Sequence, residues 1–200
     1  MREGKVDRTT NETSVSVWVD LDGKGQCTVE TGIPFFDHML SQVATHGIID
    51  LKVKATGDLA VDAHHTVEDV GISLGQAIKQ ALGEKKGIHR CGSCFMPMDE
   101  ALAFVALDLS NRPYWIIQIR WTGQVLGSVI APQLPVTLVE HFFQTLAVQG
   151  GITLHMRLES GRDDHHSCEA LFKAFARALD EATRIDPKRS RSIPSSKGVL

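Results

Sequence analysis

The chain has 200 residues, of which 42% are hydrophobic and 22% charged, and its formal net charge is -3. This composition predicts a globular protein and excludes a disordered chain, and the slightly acidic balance lacks the positive field of most nucleic-acid binders. Because the chain shows neither an apolar leader nor an apolar run long enough to span a membrane, we expect a cytoplasmic protein without membrane or nucleic-acid partners.

The first half of the chain alternates strand and helix patterns. Apolar side chains at every second position predict strands, while Pro34 suits the first turn of a helix and Gly47 its end. The predicted order is a strand at 15–21, a strand at 26–31 after a turn at 22–25, a helix at 34–47, a strand at 49–55 and a helix at 62–82.

The second half repeats this order. We predict a hairpin of strands at 102–109 and 114–121 joined across 110–113, then a helix at 135–150, a strand at 152–158 and a helix from Asp164. His38 and His141 fall at matching positions of matching helices, which indicates an internal duplication. The predicted fold is α+β: a duplicated strand-strand-helix-strand-helix half-domain, with two sheets backed by helices. We place the halves at 1–90 and 91–186 of one compact domain, followed by a C-terminal tail at 187–200.

Each half carries the same histidine motif at the start of its last helix. The motifs are His64-His65-Thr66-Val67-Glu68 and His165-His166-Ser167-Cys168-Glu169. On a helix, the glutamate lies beside the first histidine at the spacing of a metal chelate. The second histidine points about 100° away and is free to serve another ion. His38 and His141 add further ligands, whereas His89 and His155 fit structural or exposed positions.

These residues together offer six imidazoles and two carboxylates. Divided evenly, they give each of two ions three histidines and one glutamate, which leaves open positions for catalysis. Such mixed ligands suit manganese, iron, cobalt, nickel or zinc, so ligand type alone does not identify the metal. The pattern predicts a duplicated, dinuclear metalloenzyme.

Three cationic side chains are candidates for binding an anionic substrate: Arg90, Arg112 and Lys197. Arginine suits multidentate phosphate contacts, although each residue has the alternative of being a solvated surface charge. The tail around Lys197 is basic and rich in serine and glycine, which fits either a frayed terminus or a phosphate-binding loop. Cys91 and Cys94 form a lone C-x-x-C pair, which fits chance spacing or a modest redox sensitivity.

At these residues the sequence resembles the imidazoleglycerol-phosphate dehydratase family of histidine biosynthesis. The matching stretches cover nearly the whole chain in order and lie at 8–13, 35–40, 46–47, 62–69, 108–114, 140–143, 164–170 and 195–198. The resemblance implies a fold like domain 2 of ribosomal protein S5. It also implies a hydro-lyase that converts D-erythro-imidazole glycerol phosphate to imidazole acetol phosphate, through a metal-bound imidazolate and a diazafulvene-like intermediate.

The resemblance further implies two manganese ions per active site, bridging the subunits of a large homo-oligomer that is expected to be a 24-mer. One ion takes His38, His65, His165 and Glu169; the other takes His64, Glu68, His141 and His166. Each site would then need ligands from more than one subunit, so metal binding and assembly are expected to be coupled.

The resemblance also implies a set of substrate-binding residues. Those on the phosphate side are Arg90, Arg112, Ser195, Ser196 and Lys197. Glu12 and His46 match residues beside the glycerol portion and are the expected catalytic residues, with Glu12 as the acid/base. The ligands His38, His64 and Glu68 are expected to border the substrate as well.

Two other functions fit parts of the pattern. A dinuclear phosphate-ester hydrolase more often has aspartate-rich ligands and a bridging carboxylate, which this pattern lacks. A metal-storage or metal-scaffolded assembly protein would bind metal and assemble without turnover, and phosphate analogues would not compete for its site.

Overall fold

The computed structural model describes residues 1–189 and 192–200. Its first half folds in the order strand, strand, strand, helix, strand, helix. The elements are β1 (Glu3–Thr9), β2 (Thr13–Asp20), β3 (Cys27–Glu30), α1 (Pro34–Gly47), β4 (Asp50–Gly57) and α2 (His64–Leu82). The predicted helix at 34–47 is confirmed, with Pro34 in its first turn and a left-handed Ile48 after its last residue.

The second half repeats the order with one short addition. Its elements are β5 (Cys91–Met98), β6 (Ala101–Asp108), β7 (Tyr114–Gln118), the two-residue strands β8 (Val125–Leu126) and β9 (Leu134–Pro135), α3 (Val136–Gly150), β10 (Thr153–Ser160) and α4 (Asp164–Thr183). Within the described ranges, none of the helices is both long and apolar enough to cross a lipid bilayer.

Each half forms a four-stranded sheet with the same topology. The strand orders are β1-β2-β4-β3 and β5-β6-β10-β7. In each sheet the last pair is parallel and the other pairs are antiparallel. The predicted α+β duplication, with two sheets backed by helices, is confirmed.

Each four-stranded sheet contains one strand more than predicted, because β1 and β5 lack a full alternation of apolar residues. A glycine occupies the buried face of each strand. A Cβ on Gly4 would lie 1.9 Å from the Ala77 carbonyl oxygen, and one on Gly92 would lie 2.1 Å from that of Ala178. The two strands therefore press their backbones against α2 and α4, where no larger side chain fits.

The predicted hairpin between the strands at 102–109 and 114–121 is wrong. β6 pairs with β5 and β10, whereas β7 lies at the opposite edge, parallel to β10. In the same way, β3 lies beside β4 and not beside β2. The reason is burial: β10 directs Leu154 and Met156 into the core and takes the inner position, while β7 exposes most of its residues, as an edge strand can.

The helices pair across the two halves, α1 with α4 and α2 with α3. Buried phenylalanines join these pairs: the ring of Phe36 in α1 lies 5.2 Å from that of Phe142 in α3, and Phe142 stacks on Phe172 of α4 at 5.6 Å. This aromatic cluster gives the duplicated halves one shared core. Because of the cross-pairing, each helix interface brings together residues from both halves.

Candidate metal centre

Both histidine motifs begin a helix, and an aspartate stabilises each start. Asp62 Oδ1 accepts the backbone N–H of His64 at 2.7 Å. Asp163 Oδ1 accepts the backbone N–H groups of His165 and His166 at 2.7 and 3.2 Å. Asp163 is the N-cap of α4, whereas Asp62 lies one residue before Ala63, the N-cap of α2. Both bonds help to fix where the helix begins and so which way its first side chains project.

His38 of α1 meets His165 and Glu169 of α4 in a cluster that we call the α1/α4 triad. Glu169 Oε2 lies 3.1 Å from His38 Nε2 and 3.3 Å from His165 Nε2. The carboxylate is buried, whereas both imidazoles are exposed. A carboxylate oxygen flanked by two ring nitrogens and open on one side fits a divalent cation with room for further ligands.

His64 and Glu68 of α2 meet His141 of α3 in the equivalent α2/α3 triad. The His64 and His141 rings are 4.8 Å apart, and His141 Nε2 lies 3.2 Å from Glu68 Oε1. That contact lacks hydrogen-bond geometry, so His141 Nε2 is a buried atom with no hydrogen-bond partner among the described residues. Burying a polar atom this way is costly unless something binds it, and a metal ion held by the triad would do so.

His65 and His166 lie outside both triads and face carboxylates instead. His65 Nδ1 lies 3.0 Å from Asp58 Oδ2, and His166 Nδ1 lies 2.9 Å from Glu100 Oε2. These hydrogen bonds raise the pKa of both histidines, and the bond from His166 lowers the pKa of Glu100 to about 2. A histidine bonded through Nδ1 can present Nε2 to another group.

Glu169 also has a cationic neighbour on its own helix. Lys173 Nζ lies 2.6 Å from Glu169 Oε1, the oxygen that does not face the triad histidines. Burial would raise the pKa of Glu169, but hydrogen bonds from Lys173 and His38 outweigh it and hold the pKa below its ordinary value. The carboxylate is therefore kept in the ionised form that metal binding requires.

The two residues expected beside the substrate's glycerol portion lie in different places. Glu12 is exposed in the turn between β1 and β2, with Oε2 3.8 Å from His65 Nδ1. His46 is half-buried in the last turn of α1, where desolvation and the charge of Lys173 lower its pKa. Glu12 therefore lies beside His65, whereas His46 lies on α1, the helix that carries His38 of the α1/α4 triad.

The expected phosphate-binding residues assemble near the start of β5. Arg90 makes a bidentate ion pair with Asp108, at 2.6 and 2.8 Å, and its Nη1 donates to the Pro194 carbonyl oxygen at 2.8 Å. Arg112 Nη2 lies 3.8 Å from the same Asp108, and its side chain is exposed. The contact with Pro194 places Arg90 beside the start of the tail segment that contains Ser195, Ser196 and Lys197. There Ser195 Oγ accepts the Lys197 N–H at 3.2 Å.

Within one chain, Arg90 and the α1/α4 triad lie at opposite ends of α4. The Arg90 N–H donates to the Ala182 carbonyl oxygen at 2.8 Å, close to the helix C-terminus, whereas His165 lies in its first turn. At the rise of an α-helix, the two ends are about 26 Å apart. A small substrate cannot touch Arg90 and the α1/α4 triad of the same chain.

An open cleft of about 670 Å³ borders the α1/α4 triad. Its lining includes Phe35, His38, Leu126, Arg162 and His165. The exposed side of this triad thus faces a space large enough for a small molecule or for a segment of another chain.

Three supporting residues were missed from the sequence: Asp58, Glu100 and Lys173. Glu100 had a detectable signal, because it directly precedes β6 as Glu12 directly precedes β2. Lys173 follows Glu169 by one helical turn, a spacing that predicts an ion pair. Asp58 had no comparable signal, since its contact with His65 depends on where β4 ends in relation to α2.

Comparisons with known proteins agree on one family. The family model described as imidazoleglycerol-phosphate dehydratase matches residues 31–179. The imidazoleglycerol-phosphate dehydratase of Acetivibrio thermocellus is 54% identical over 199 residues, which cover 100% of this chain and 99% of the relative. One from a Synechococcus strain is 54% identical over 200 residues, covering 100% of this chain and 97% of the relative.

Solved structures are similar as well. The imidazoleglycerol-phosphate dehydratase of Staphylococcus aureus matches with a TM-score of 0.81 and 33% identity, covering 92% of this chain and 99% of that one. The enzyme of Pyrococcus furiosus matches with a TM-score of 0.79 and 34% identity, covering 98% and 100%. The chain therefore belongs to the imidazoleglycerol-phosphate dehydratase family and is a hydro-lyase of histidine biosynthesis.

Proposed function

We propose that the protein removes water from D-erythro-imidazole glycerol phosphate to give imidazole acetol phosphate, and that the reaction depends on two manganese ions per active site. The observation that carries this proposal is the pair of triads, each with two histidines and one glutamate, built across the two halves of the chain. Three protein ligands in each triad leave positions for a fourth ligand and for substrate. Membership of the family supports the reaction.

We further propose that other copies of the chain complete each site. His65 and His166 are held through Nδ1 by Asp58 and Glu100, so that each Nε2 can serve as the fourth ligand in a neighbouring copy. Arg90 lies about 26 Å from His165 along α4, so it too would serve a neighbour. Both observations support a large assembly, for which a 24-mer is the expected form, and we place it in the cytoplasm as part of the proposal.

The reaction requires a carbon-bound proton and a hydroxyl group to leave the substrate. Bound divalent ions would supply Lewis-acid stabilisation of the charge that develops on the imidazole ring. Glu12 is the proposed acid/base: its exposed carboxyl group exchanges protons with the carbon and the departing hydroxyl, so that water leaves and an enol remains. Movement of the enol proton to carbon then gives the ketone product. The route through a diazafulvene-like species stays a prediction.

The substrate phosphate is assigned to Arg90, Arg112 and Lys197. Three N–H donors of Arg90 are engaged by Asp108 and Pro194, which fixes the guanidinium plane and leaves two of its five donors for the anion. Holding the phosphate end fixes where the reacting carbons lie in relation to Glu12. Binding energy from the distant end of the substrate thereby serves the reaction.

The direct test is turnover by the full-length, manganese-loaded protein. It is incubated with imidazole glycerol phosphate, and formation of imidazole acetol phosphate is followed beside a chelator-treated control. Metal-dependent product supports the proposal. Absence of product from a fully loaded, assembled sample overturns the assigned reaction and leaves a metal-scaffolded assembly protein as the better description.

A further inference from the structure

The two motif helices carry equivalent metal-type triads but continue with different residues. Four positions after the motif glutamate, α4 has Lys173 and α2 has Ile72. Eight positions after it, α4 has Arg177 and α2 has Gln76. At these two positions, two positive charges follow the α1/α4 triad and none follows the α2/α3 triad.

Lys173 is placed where its charge acts directly on the α1/α4 triad. Its Nζ lies 2.6 Å from Glu169 Oε1, and the exposed fractions of the two side chains are 18% and 9%. The other oxygen of the same carboxylate faces His38 and His165. An ammonium group and an ion in the triad would share one carboxylate in a partly desolvated site, where charges interact more strongly than in water.

The facing helices repeat the contrast. His46 lies eight positions after His38 on α1, and its carbonyl oxygen accepts a hydrogen bond from Arg177 Nη1 at 3.4 Å. Gln149 lies eight positions after His141 on α3, and its Oε1 accepts a hydrogen bond from Gln76 Nε2 at 3.0 Å. Between α1 and α4 the contact is thus made by a cationic arginine with a backbone carbonyl, whereas between α2 and α3 it is made by two neutral amide side chains.

We propose that the two triads bind their divalent ions with unequal affinity, the α2/α3 triad tightly and the α1/α4 triad weakly, because Lys173 already neutralises Glu169. This inference rests on the proposed metal dependence. A divalent ion arriving at the α1/α4 triad meets a carboxylate whose charge is shared with an ammonium, and it is repelled by that ammonium. An ion arriving at the α2/α3 triad meets Glu68 with no cation one turn further along its helix.

The pairing also explains how the metal-free chain tolerates Glu169. This carboxylate is 7% exposed, and a buried charge without a partner is strongly destabilising. Lys173 supplies that partner when no ion is bound. The α2/α3 triad has no such substitute, and its His141 Nε2 stays without a hydrogen-bond partner among the described residues. The structure thus favours loading of the α2/α3 triad first.

The first measurement is a titration of metal-free, full-length protein with manganese. Binding is measured by calorimetry and by the electron paramagnetic resonance signal of free manganese. We expect two classes of site whose dissociation constants differ at least tenfold, which corresponds to about 1.4 kcal/mol. Glu68→Gln should remove the tight class and Glu169→Gln the weak class, which assigns each class to a triad. The opposite assignment overturns the proposal.

Two reciprocal variants test the role of Lys173. Lys173→Met should tighten the weak class at least tenfold, whereas Ile72→Lys should weaken the tight class by a similar factor. Lys173→Arg, which keeps the charge, should leave the two classes apart. If Lys173→Met does not fold, the wild-type titration and Ile72→Lys decide alone.

The outcomes separate this inference from the proposed function. Two ions bound with equal affinity, or classes unchanged in Lys173→Met and in Ile72→Lys, overturn the inference and leave the metal-dependent reaction standing. A wild-type protein that binds no ion overturns both.

Discussion

Glu12 and Glu100 occupy equivalent turns, one directly before β2 and the other directly before β6, yet their carboxylates have different partners. Glu100 Oε1 accepts the backbone N–H groups of Arg162 and Asp163 at 3.2 and 2.9 Å, and Oε2 bonds His166. Among the described residues, the Glu12 side chain takes part in no hydrogen bond and approaches only His65, at 3.8 Å. The two halves therefore carry equivalent glutamates, and of these Glu100 has both carboxylate oxygens in hydrogen bonds.

The difference depends on Asp58. In the first half, Asp58 bonds His65 Nδ1 and takes the place that Glu100 takes beside His166. Glu12 is thereby left with a free carboxylate beside the same imidazole. A carboxylate that proton transfer employs must be able to gain and lose a proton, and a glutamate that holds a loop and a histidine together is poorly suited to this.

Removing a triad glutamate should have the largest effect, and in either half it should cost one ion and the assembly. Glu169→Ala is expected to lose one ion per chain and the large assembly together, because metal binding and assembly share ligands. Glu68→Ala is the matched variant in the other triad. Metal content and molar mass are measured side by side. A Glu169→Ala protein that keeps both ions and the assembly would contradict sites shared between subunits.

Replacing each turn glutamate with glutamine should have different effects in the two halves. Glu12→Gln is expected to lower kcat by about 10²–10⁴-fold, the range for loss of an acid/base, with unchanged metal content. Glu100→Gln is expected instead to weaken metal binding by about 10–100-fold, because it loosens His166. Steady-state kinetics and metal analysis of both proteins provide the measurement. If both variants lose metal alike, Glu12 has a supporting role and the comparison fails.

The tail should matter to substrate binding, because it contacts Arg90. Lys197→Ala is expected to raise KM by about 10–100-fold, which is the loss of one charge-assisted hydrogen bond, and to leave metal content unchanged. The control is Arg2→Lys, since Arg2 precedes β1 much as Arg90 precedes β5 but pairs with Asp22. Unchanged kinetics of Lys197→Ala would indicate that the tail is a frayed terminus and does not bind phosphate.

The smallest expected effect is on the pH dependence of unfolding of the metal-free protein. Glu100 has a pKa of about 2 instead of 4.5, so its contribution is present above pH 4.5 and is lost as pH falls toward 2. The pKa of His166 is raised above 6.5, so its contribution is present below pH 6.5 and is lost as pH rises through the raised value.

The Glu100–His166 pair therefore stabilises the fold most between pH 4.5 and 6.5. Thermal unfolding in chelator, scanned across pH, should show this maximum flattened in Glu100→Gln. The Glu12→Gln protein should keep it, because Glu12 lies 3.8 Å from His65 without a hydrogen bond. Loss of the maximum in both proteins would mean that the two turns are alike.

Local patterns were readable from the sequence, and long-range pairing was not. Pro34 and Gly47 marked α1, and the motif spacing indicated which histidine and glutamate lie together in each triad. The neighbours of β3 and β7 could not be predicted, because parallel pairing depends on which strand competes best for the sheet interior. Gly4 and Gly92 concealed β1 and β5, since a close backbone contact takes the place of an apolar side chain.

The site showed the same limit. The members of each triad were found because every one belongs to a repeated position. Asp58 and Lys173 were not, since neither has a counterpart of the same type in the other half. Duplicated residues therefore indicate what the two halves have in common, and the unduplicated ones indicate where they differ.

The span of α4 has a genetic consequence. Arg2, just before β1, donates to the Thr183 carbonyl oxygen at the end of α4. Glu12 follows the far end of β1, so it lies toward the opposite end of the molecule from the tail. If a site takes Glu12 from one copy and Lys197 from another, two alleles that each lack one of these residues can compensate for one another. Co-expressed, the two defective chains would form mixed particles in which some sites inherit only intact parts, and a strain carrying both would grow without histidine.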